Sequence, residues 1–206
     1  MQTSCQSKAM IYSFLAEVFS SHPTPEAAIG VRQMAEALDI SCNSDWAVSD
    51  LEREYMDLFV VPTSRYAAPY ESVYRDHWLL PAMLKPGSDP GETSRVIKGL
   101  VMGESTIAVR QIYLEAGVLP GQGLPDHISN ELHFLAHLCT CEAENRPPDD
   151  GTFLEQRAVF CRDHLLKWID QFREKIVQNE RLGYYLTAVR ITEALLASEV
   201  LEQPVF

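Results

Sequence analysis

The sequence has no long apolar run and few basic residues, and each shortage excludes a class of protein. No stretch approaches the roughly 18 apolar residues of a membrane-spanning helix, so stable membrane insertion is not expected. Residues 1–5 lack the basic segment and apolar run of a secretory signal, so we expect a cytoplasmic protein. The 17 basic and 29 acidic residues give a formal net charge of −12. That charge repels phosphate backbones, so nucleic acid is not an expected partner.

The sequence also lacks the patterns that define common sites for disulfides, nucleotides and covalent catalysis. Its five cysteines are odd in number and irregularly spaced, which favours reduced thiols over a disulfide framework. We find no phosphate-binding glycine loop of either common type and no Gly-x-Ser-x-Gly nucleophile elbow. The acidic balance fits either plain solubility or the steering of a cationic partner.

What is present is helical periodicity along most of the chain, within a length that suits one domain over residues 1–206. Two Ser/Thr-x-x-Glu spacings, Ser49–Glu52 and Thr152–Glu155, predict capping boxes, although the helix at the first of them could also start earlier, near Ser44. We expect an all-α fold with at most two short strands, one of them within Arg95–Met102. The predicted helices cover about residues 10–19, 25–39, 51–59, 105–116, 126–139, 153–176 and 182–202.

Three segments interrupt this pattern. Residues 60–93 contain five prolines, which prevent a long helix, yet their first part holds Tyr66, Tyr70, Tyr74 and Trp78. We expect this aromatic stretch to pack on the helices or to receive a ligand. Residues 119–126 are a candidate hinge, and residues 145–151 form a polar, proline-containing linker.

A metal site is one interpretation of the histidines in the helix that follows the hinge. His133, His137 and Cys141 lie four residues apart on one helical face, with Cys139 nearby. However, Phe134 stands where a metalloprotease helix needs glutamate, and no second cluster supplies further ligands. Ordinary helix packing explains the same spacing, and we expect no bound metal.

Asp126 and His127 allow two interpretations of their own. A carboxylate beside a histidine can serve as an acid/base pair. Aspartate at a helix start is also a favoured N-cap, because it accepts hydrogen bonds from the free backbone N–H groups. We favour the capping role.

Several motifs follow one another in a definite order along the chain. Glu54–Phe59 reads Glu-Tyr-x-x-Leu-Phe, and Ala68–Tyr74 contains Pro-Tyr-Glu-Ser-Val-Tyr. Pro125–Leu135 contains Pro-Asp-His-Ile-x-x-Glu-Leu, and His164–Phe172 contains His-Leu-x-x-Trp. This ordered set, with Tyr184–Tyr185 in the C-terminal part, resembles the TorD/DmsD/NarJ family of chaperones for molybdenum-cofactor oxidoreductases. The resemblance spans about residues 8–200.

The resemblance implies a helical bundle with N- and C-terminal parts joined by a hinge loop. It implies no catalysis and no cofactor of the protein's own. The implied partner is the immature catalytic subunit of a molybdopterin oxidoreductase, which the chaperone often binds through the subunit's N-terminal twin-arginine leader. The chaperone itself would be a monomer or a dimer. Cofactor insertion would then precede export.

The family's motif positions, with the neighbouring aromatic ring, define a candidate peptide-binding site. Such a site needs carboxylates for arginine and an apolar, aromatic trough for the residues that follow. We expect Glu71 to be the electrostatic anchor and Tyr70 and Tyr74 to be the walls. The full candidate set is Tyr70, Glu71, Tyr74, Trp78, Asp126, His127 and Glu131.

Two alternatives remain open at this point. The protein could assist a client subunit that stays in the cytoplasm and carries no leader. It could also be a small helical enzyme or metal protein that uses Asp126, His127, His133 or the cysteines.

Overall fold

A computed structural model describes residues 4–43, 45–80, 95–119, 121, 123–148 and 151–201. These residues are mostly helical, which confirms the predicted all-α class. A π-helix, Met56–Val60, follows α3, and a 3₁₀-helix, Leu165–Lys167, follows α7. The α-helices are α1 (Cys5–Ser20), α2 (Pro25–Ala37), α3 (Val48–Tyr55), α4 (Glu71–Arg75), α5 (Glu104–Glu115), α6 (Ile128–Ala143), α7 (Phe153–Asp163), α8 (Ile169–Asn179) and α9 (Tyr184–Leu201).

The core lies between an antiparallel pair, α1 and α6, and a group of helices around α9. The Glu17 Oε1 near the end of α1 lies 3.7 Å from the His133 Nε2 in the first half of α6, as expected for antiparallel helices. α9 packs against α2, α7 and α8. Large apolar side chains from these helices, such as Leu15, Phe19 and Phe172, are fully buried. Burial of this kind stabilises the bundle by roughly 1.5–3 kcal/mol for each large side chain.

Local capping explains where several helices begin and end. Thr24 accepts a hydrogen bond from the Ala27 N–H at 3.1 Å, and Pro25 is the first residue of α2. Thr152 and Glu155 form the predicted capping box of α7, with hydrogen bonds of 3.1 and 2.8 Å. Gly117 has a φ of +67°, the left-handed conformation typical of the residue after a helix. These features confirm the sequence interpretation.

Two helix boundaries differ from the prediction. α3 begins at Val48, its N-cap is Ala47, and no side chain caps it, so the capping box predicted at Ser49–Glu52 is wrong. Helical structure also does not run unbroken to residue 176, because α7 ends at Asp163 and its C-cap, His164, has φ and ψ of −120° and −90°. The helical periodicity continues across this break because the residues after it still pack inward.

The described part of the proline-containing region, residues 60–80, holds the short helix α4 and the strand β1. β1 (His77–Leu80) pairs antiparallel with β2 (Arg95–Lys98), which confirms the predicted short extended segment. Asp76 accepts hydrogen bonds from the Ser105 N–H at 2.9 Å and the Ser105 hydroxyl at 2.7 Å. This contact attaches the start of α5 to the end of α4. Residues 81–94 lie outside the described residues.

The predicted hinge and linker are only partly described. Residues 120 and 122 of the hinge and 149–150 of the linker lie outside the described residues. The Leu124 carbonyl accepts hydrogen bonds from the His127 N–H at 3.1 Å and the Asn130 amide at 2.8 Å. The Tyr113 hydroxyl donates to the Pro125 carbonyl at 3.1 Å. The end of the hinge segment is thus attached to α5 and α6, and hinge motion stays a prediction.

A buried ionic cluster joins α1, α7 and α9. The fully buried Glu199 carboxylate accepts from Tyr12 at 3.1 Å and pairs with Lys8 at 3.1 Å and Arg157 at 2.9 Å. Arg157 also pairs with Glu142 on α6.

Among the helices in the described part of the chain, none is both long and apolar enough to span a membrane.

Candidate functional site

The two most specific sequence motifs lie side by side. Tyr70 and His127 form an isolated antiparallel bridge. The Glu71 N–H donates to the Asp126 carbonyl at 3.0 Å, and the Ile128 N–H donates to the Pro69 carbonyl at 2.9 Å. We call residues 66–78 and 125–131 the paired segments. All seven candidate site residues lie on them.

Asp126 caps a helix, but the helix is α4 and not α6. Its fully buried carboxylate accepts a hydrogen bond from the Ser72 N–H at 3.0 Å. The N-cap of α4, Tyr70, provides no side-chain hydrogen bond of its own, so Asp126 supplies the acceptor from 54 residues away. The predicted capping of α6 by Asp126 is therefore wrong. His127 is the N-cap there, and its Nδ1 accepts from the Ser129 N–H at 3.1 Å.

The described contacts do not form the Asp126–His127 acid/base pair. The His127 Nδ1 lies 2.6 Å from the Ser129 hydroxyl, and the ring contacts that of Tyr70 edge-on at 5.1 Å. Burial lowers the pKa of His127 to about 4, so the ring is neutral near pH 7. A neutral imidazole can accept the Ser129 hydrogen bond, whereas an imidazolium has no free acceptor. The role of His127 in this structure is to cap α6 and to contact Tyr70.

Glu71 is fully buried and has internal partners. Arg75, one turn further on α4, pairs with its carboxylate, and the His164 Nδ1 lies 3.0 and 3.2 Å from the two carboxylate oxygens. Arg75 also donates to the Asp163 carbonyl at 2.9 Å. A cation from a ligand that bound Glu71 at the Arg75 position would have to join or replace Arg75.

Glu131 adds a second buried carboxyl group beside Glu71. Burial raises its pKa well above the ordinary value, and the nearby charges of Glu71 and Asp126 raise it further. The raised pKa favours the protonated form of this carboxyl group beside Glu71. The Trp168 indole N–H donates to Glu131 at 3.4 Å. We call Glu71, Asp126 and Glu131 the acidic cluster.

The aromatic candidates differ in how much they reach the surface. Tyr74 stacks on Trp168, with ring centres 5.6 Å apart and planes inclined by 16°, and it contacts Phe172 edge-on. Burial raises the pKa of Tyr74 far above neutrality, so its hydroxyl is not ionised. Trp78 on β1 is 46% exposed. Of the seven candidates, Trp78 is the most exposed.

His164 and Trp168 are functional candidates that the sequence prediction omitted. They contact Glu71 and Glu131 directly and so position the acidic cluster. The signal for them was already present in the His-Leu-x-x-Trp segment. The sequence could not show that this segment contacts the acidic cluster, because 93 residues separate His164 from Glu71.

A cavity of about 500 Å³ lies between α5, α6 and α7. Its walls are mainly apolar and include Phe134, Phe153 and Phe160. Asp163 and His164 line it as well, so the cavity shares two residues with the contacts of Arg75 and Glu71. Pockets of this volume bury peptide side chains or small ligands.

The three residues that suggested a metal site, His133, His137 and Cys141, do not form one cluster in the structure. His133 is exposed and faces Glu17, whereas the His137 Nε2 lies 3.4 Å from the Cys141 sulfur. Burial lowers the pKa of His137 and raises that of Cys141. Cys139 is buried near Arg157. Among the described residues, no three His, Cys, Asp or Glu side chains are grouped to hold a metal.

Comparison with known proteins places these residues in a family. Residues 24–174 match the family model described as nitrate reductase delta subunit. The chain belongs to this family. The match contains both paired segments as well as His164 and Trp168, whereas α9 lies beyond it.

Relatives of this nitrate reductase delta subunit family member include chaperones. The chain is 28% identical over 173 residues to "Chaperone protein TorD" of Vibrio cholerae, covering 82% of this chain and 69% of the relative. It is 26% identical over 192 residues to the protein of that name from Aliivibrio fischeri, covering 91% and 81%. These matches confirm the family resemblance read from the motifs.

A solved structure supports the fold of this family member. The structure, described as that of a redox enzyme maturation protein from Archaeoglobus fulgidus, superposes with a TM-score of 0.52 at 18% identity. The alignment covers 98% of this chain and 97% of the other. At that identity the likeness concerns the fold alone.

Proposed function

We propose that the protein is a cytoplasmic chaperone that binds the immature catalytic subunit of a molybdopterin oxidoreductase. In this proposal it holds the client through its twin-arginine leader and delays export until the cofactor has been inserted. The family membership and the similarity to TorD chaperones support a role in maturation. The function is binding, and no turnover by the protein itself is needed.

The observation that carries the proposal is the position of the apolar cavity next to the acidic cluster. A twin-arginine leader has guanidinium groups followed by an apolar run. Carboxylates suit the first part and an apolar trough suits the second. Here Asp163 and His164 line the cavity and also contact the Arg75–Glu71 pair. The Glu71 carboxylate and the apolar cavity are therefore linked through Asp163 and His164.

The candidate residues divide into two roles under this proposal. Trp78, Tyr70 and the edge of Tyr74 contact the peptide, because their side chains are exposed or half-buried. Asp126, Glu131 and His127 shape the paired segments from within. Exposed aromatic residues are frequent anchors at peptide interfaces, where a few side chains carry most of the affinity.

Titration with a leader peptide tests the proposal. Trp78→Ala should weaken peptide binding by about 1–2 kcal/mol, roughly five- to thirtyfold, while the unfolding temperature changes little. Met10→Ala is a matched control, because Met10 is 70% exposed on α1, outside the paired segments. Calorimetric titration measures both affinities.

The titration has two outcomes that decide between alternatives. If the wild-type protein binds the leader peptide and Trp78→Ala alone weakens it, the leader proposal stands. If it binds no leader peptide but captures an oxidoreductase subunit that has none, the client belongs to the leaderless type.

A further inference from the structure

Arg75 covers a carboxylate that is otherwise hidden from solvent. The Glu71 side chain is 0% exposed, whereas that of Arg75 is 31% exposed. Ion pairs four residues apart on a helix are usually exposed at both ends and weak. Here one partner is buried and is also held by His164. Anything that approaches Glu71 along this ion pair meets the guanidinium of Arg75 first.

The contacts of Arg75 make up a binding site for a guanidinium group. The site consists of the Glu71 carboxylate and the Asp163 carbonyl oxygen, which Arg75 reaches at 2.9 Å. Asp163 is the last residue of α7, where the carbonyl end of the helix carries partial negative charge. One guanidinium nitrogen of Arg75, Nη1, makes both contacts. The planar guanidinium fixes the directions of the two N–H donors on this nitrogen, whereas an ammonium group is a compact point charge with rotatable donors.

The guanidinium site adjoins the apolar cavity. Asp163 belongs to both, and His164, which contacts Glu71, also lines the cavity. Phe160 on the cavity wall stacks on the His164 ring, with ring centres 5.0 Å apart. A peptide whose arginine occupied the site would have its next residues at the mouth of the cavity. The proposed leader has its apolar residues next to its arginines, so it could place one group in each of these neighbouring sites.

We propose that Arg75 is an exchangeable substitute for an arginine of the client peptide, an inference that rests on the proposed leader binding. When Arg75 turns out into solvent, the peptide's guanidinium binds Glu71 and the Asp163 carbonyl, and the apolar residues enter the cavity. The apparent affinity of the wild-type protein is then reduced by the fraction of molecules in which Arg75 has moved out.

The first test uses a small probe and needs no client. Arg75→Ala should lower the unfolding temperature, and millimolar methylguanidinium should restore it saturably, whereas methylammonium should not. The wild-type protein should show no such recovery, because its own guanidinium fills the site. Adding Glu71→Gln to the variant should abolish the recovery, because the carboxylate is gone. No recovery in folded Arg75→Ala would overturn the assignment.

The second test measures affinity for a leader peptide. Arg75→Ala should bind it about tenfold more tightly than the wild-type protein, if Arg75 leaves the site in roughly a tenth of molecules. Peptides with Arg→Lys changes should lose this gain. Arg173→Ala is the matched control, because Arg173 is 34% exposed and pairs with Glu193 at 2.8 Å between α8 and α9. It should lose stability without gaining affinity.

Arg75→Lys covers the case in which Arg75→Ala does not fold. Lysine keeps a cation near Glu71 but lacks the planar group that fixes the N–H directions, so it should be displaced more easily and give a smaller gain in affinity. Equal or weaker peptide binding in both Arg75 variants would overturn the inference and leave wild-type leader binding intact. Recovery of Arg75→Ala by methylguanidinium without any leader binding would instead support the guanidinium site and remove the leader proposal.

Discussion

Asp126→Ala should destabilise the protein by loosening α4 from α6. The substitution removes the carboxylate that accepts the Ser72 N–H at 3.0 Å in a fully buried position. A buried N–H left without an acceptor costs about 1–3 kcal/mol. Removing one negative charge beside Glu71 and Glu131 offsets part of this loss. We expect a net loss of about 1–2 kcal/mol, or about 2–8 °C for a domain of this size.

Urea unfolding and amide hydrogen exchange measure the two consequences of Asp126→Ala. The free energy of unfolding should fall, and the Ser72 N–H should exchange faster than other amides that stay buried. Asp126→Asn should have a smaller effect, because its amide oxygen can still accept the Ser72 hydrogen bond. If Ser72 stays protected and stability changes by less than about 0.5 kcal/mol, Asp126 does not hold α4.

Thr152→Ala is the matched control for this experiment. Thr152 caps α7 in an exposed capping box, and its loss should cost about 1 kcal/mol. It should leave Ser72 exchange and leader-peptide affinity unchanged. A loss of leader affinity in Asp126→Ala but not in Thr152→Ala would then be due to the position of α4 and not to lower stability.

Two further predictions concern buried charge elsewhere in the fold. Burial, followed by the nearby Glu54 charge, raises the pKa of Glu180 from 4.5 to about 7. The folded state therefore holds this proton more tightly, and stability should fall by on the order of 3 kcal/mol as pH rises from about 4.5 to 7. Urea unfolding of Glu180→Gln across this range should lack that contribution, and an unchanged pH dependence would contradict it. Glu199→Gln should lose about 3–5 kcal/mol in the same assay, because Lys8 and Arg157 lose a buried counter-charge; a loss under about 1 kcal/mol would refute this.

Local signals explain which parts of the fold could be predicted from the sequence. α2 and α7 were predictable because Thr24, Pro25, Thr152 and Glu155 act within one turn of the helix they start. The π-helix Met56–Val60 has no such signal, since its residues follow the same apolar pattern as α3.

The candidate site was predictable in membership but not in arrangement. The motifs identified which segments matter, and the structure brings them together. The burial of Glu71 and Glu131 was not predictable, because acidic residues are rarely buried without a partner. Arg75 pairs with Glu71 locally, but the other partners, His164 and Trp168, lie far along the chain. Only the fold decides which distant residues meet.

The buried bond between Tyr12 and Glu199 has a consequence for synthesis of the chain. It joins residues 187 positions apart. At about 5–20 residues per second, Tyr12 is therefore synthesised roughly 10–40 s before Glu199. The residues of the paired segments, and His164 and Trp168, are all made before Glu199. A chain that stops before Glu199 therefore carries every residue of the site but leaves Lys8 and Arg157 without this carboxylate. If such a truncated chain fails to bind the client, we expect the cause to be the incomplete helical bundle and not the loss of a residue that contacts the client.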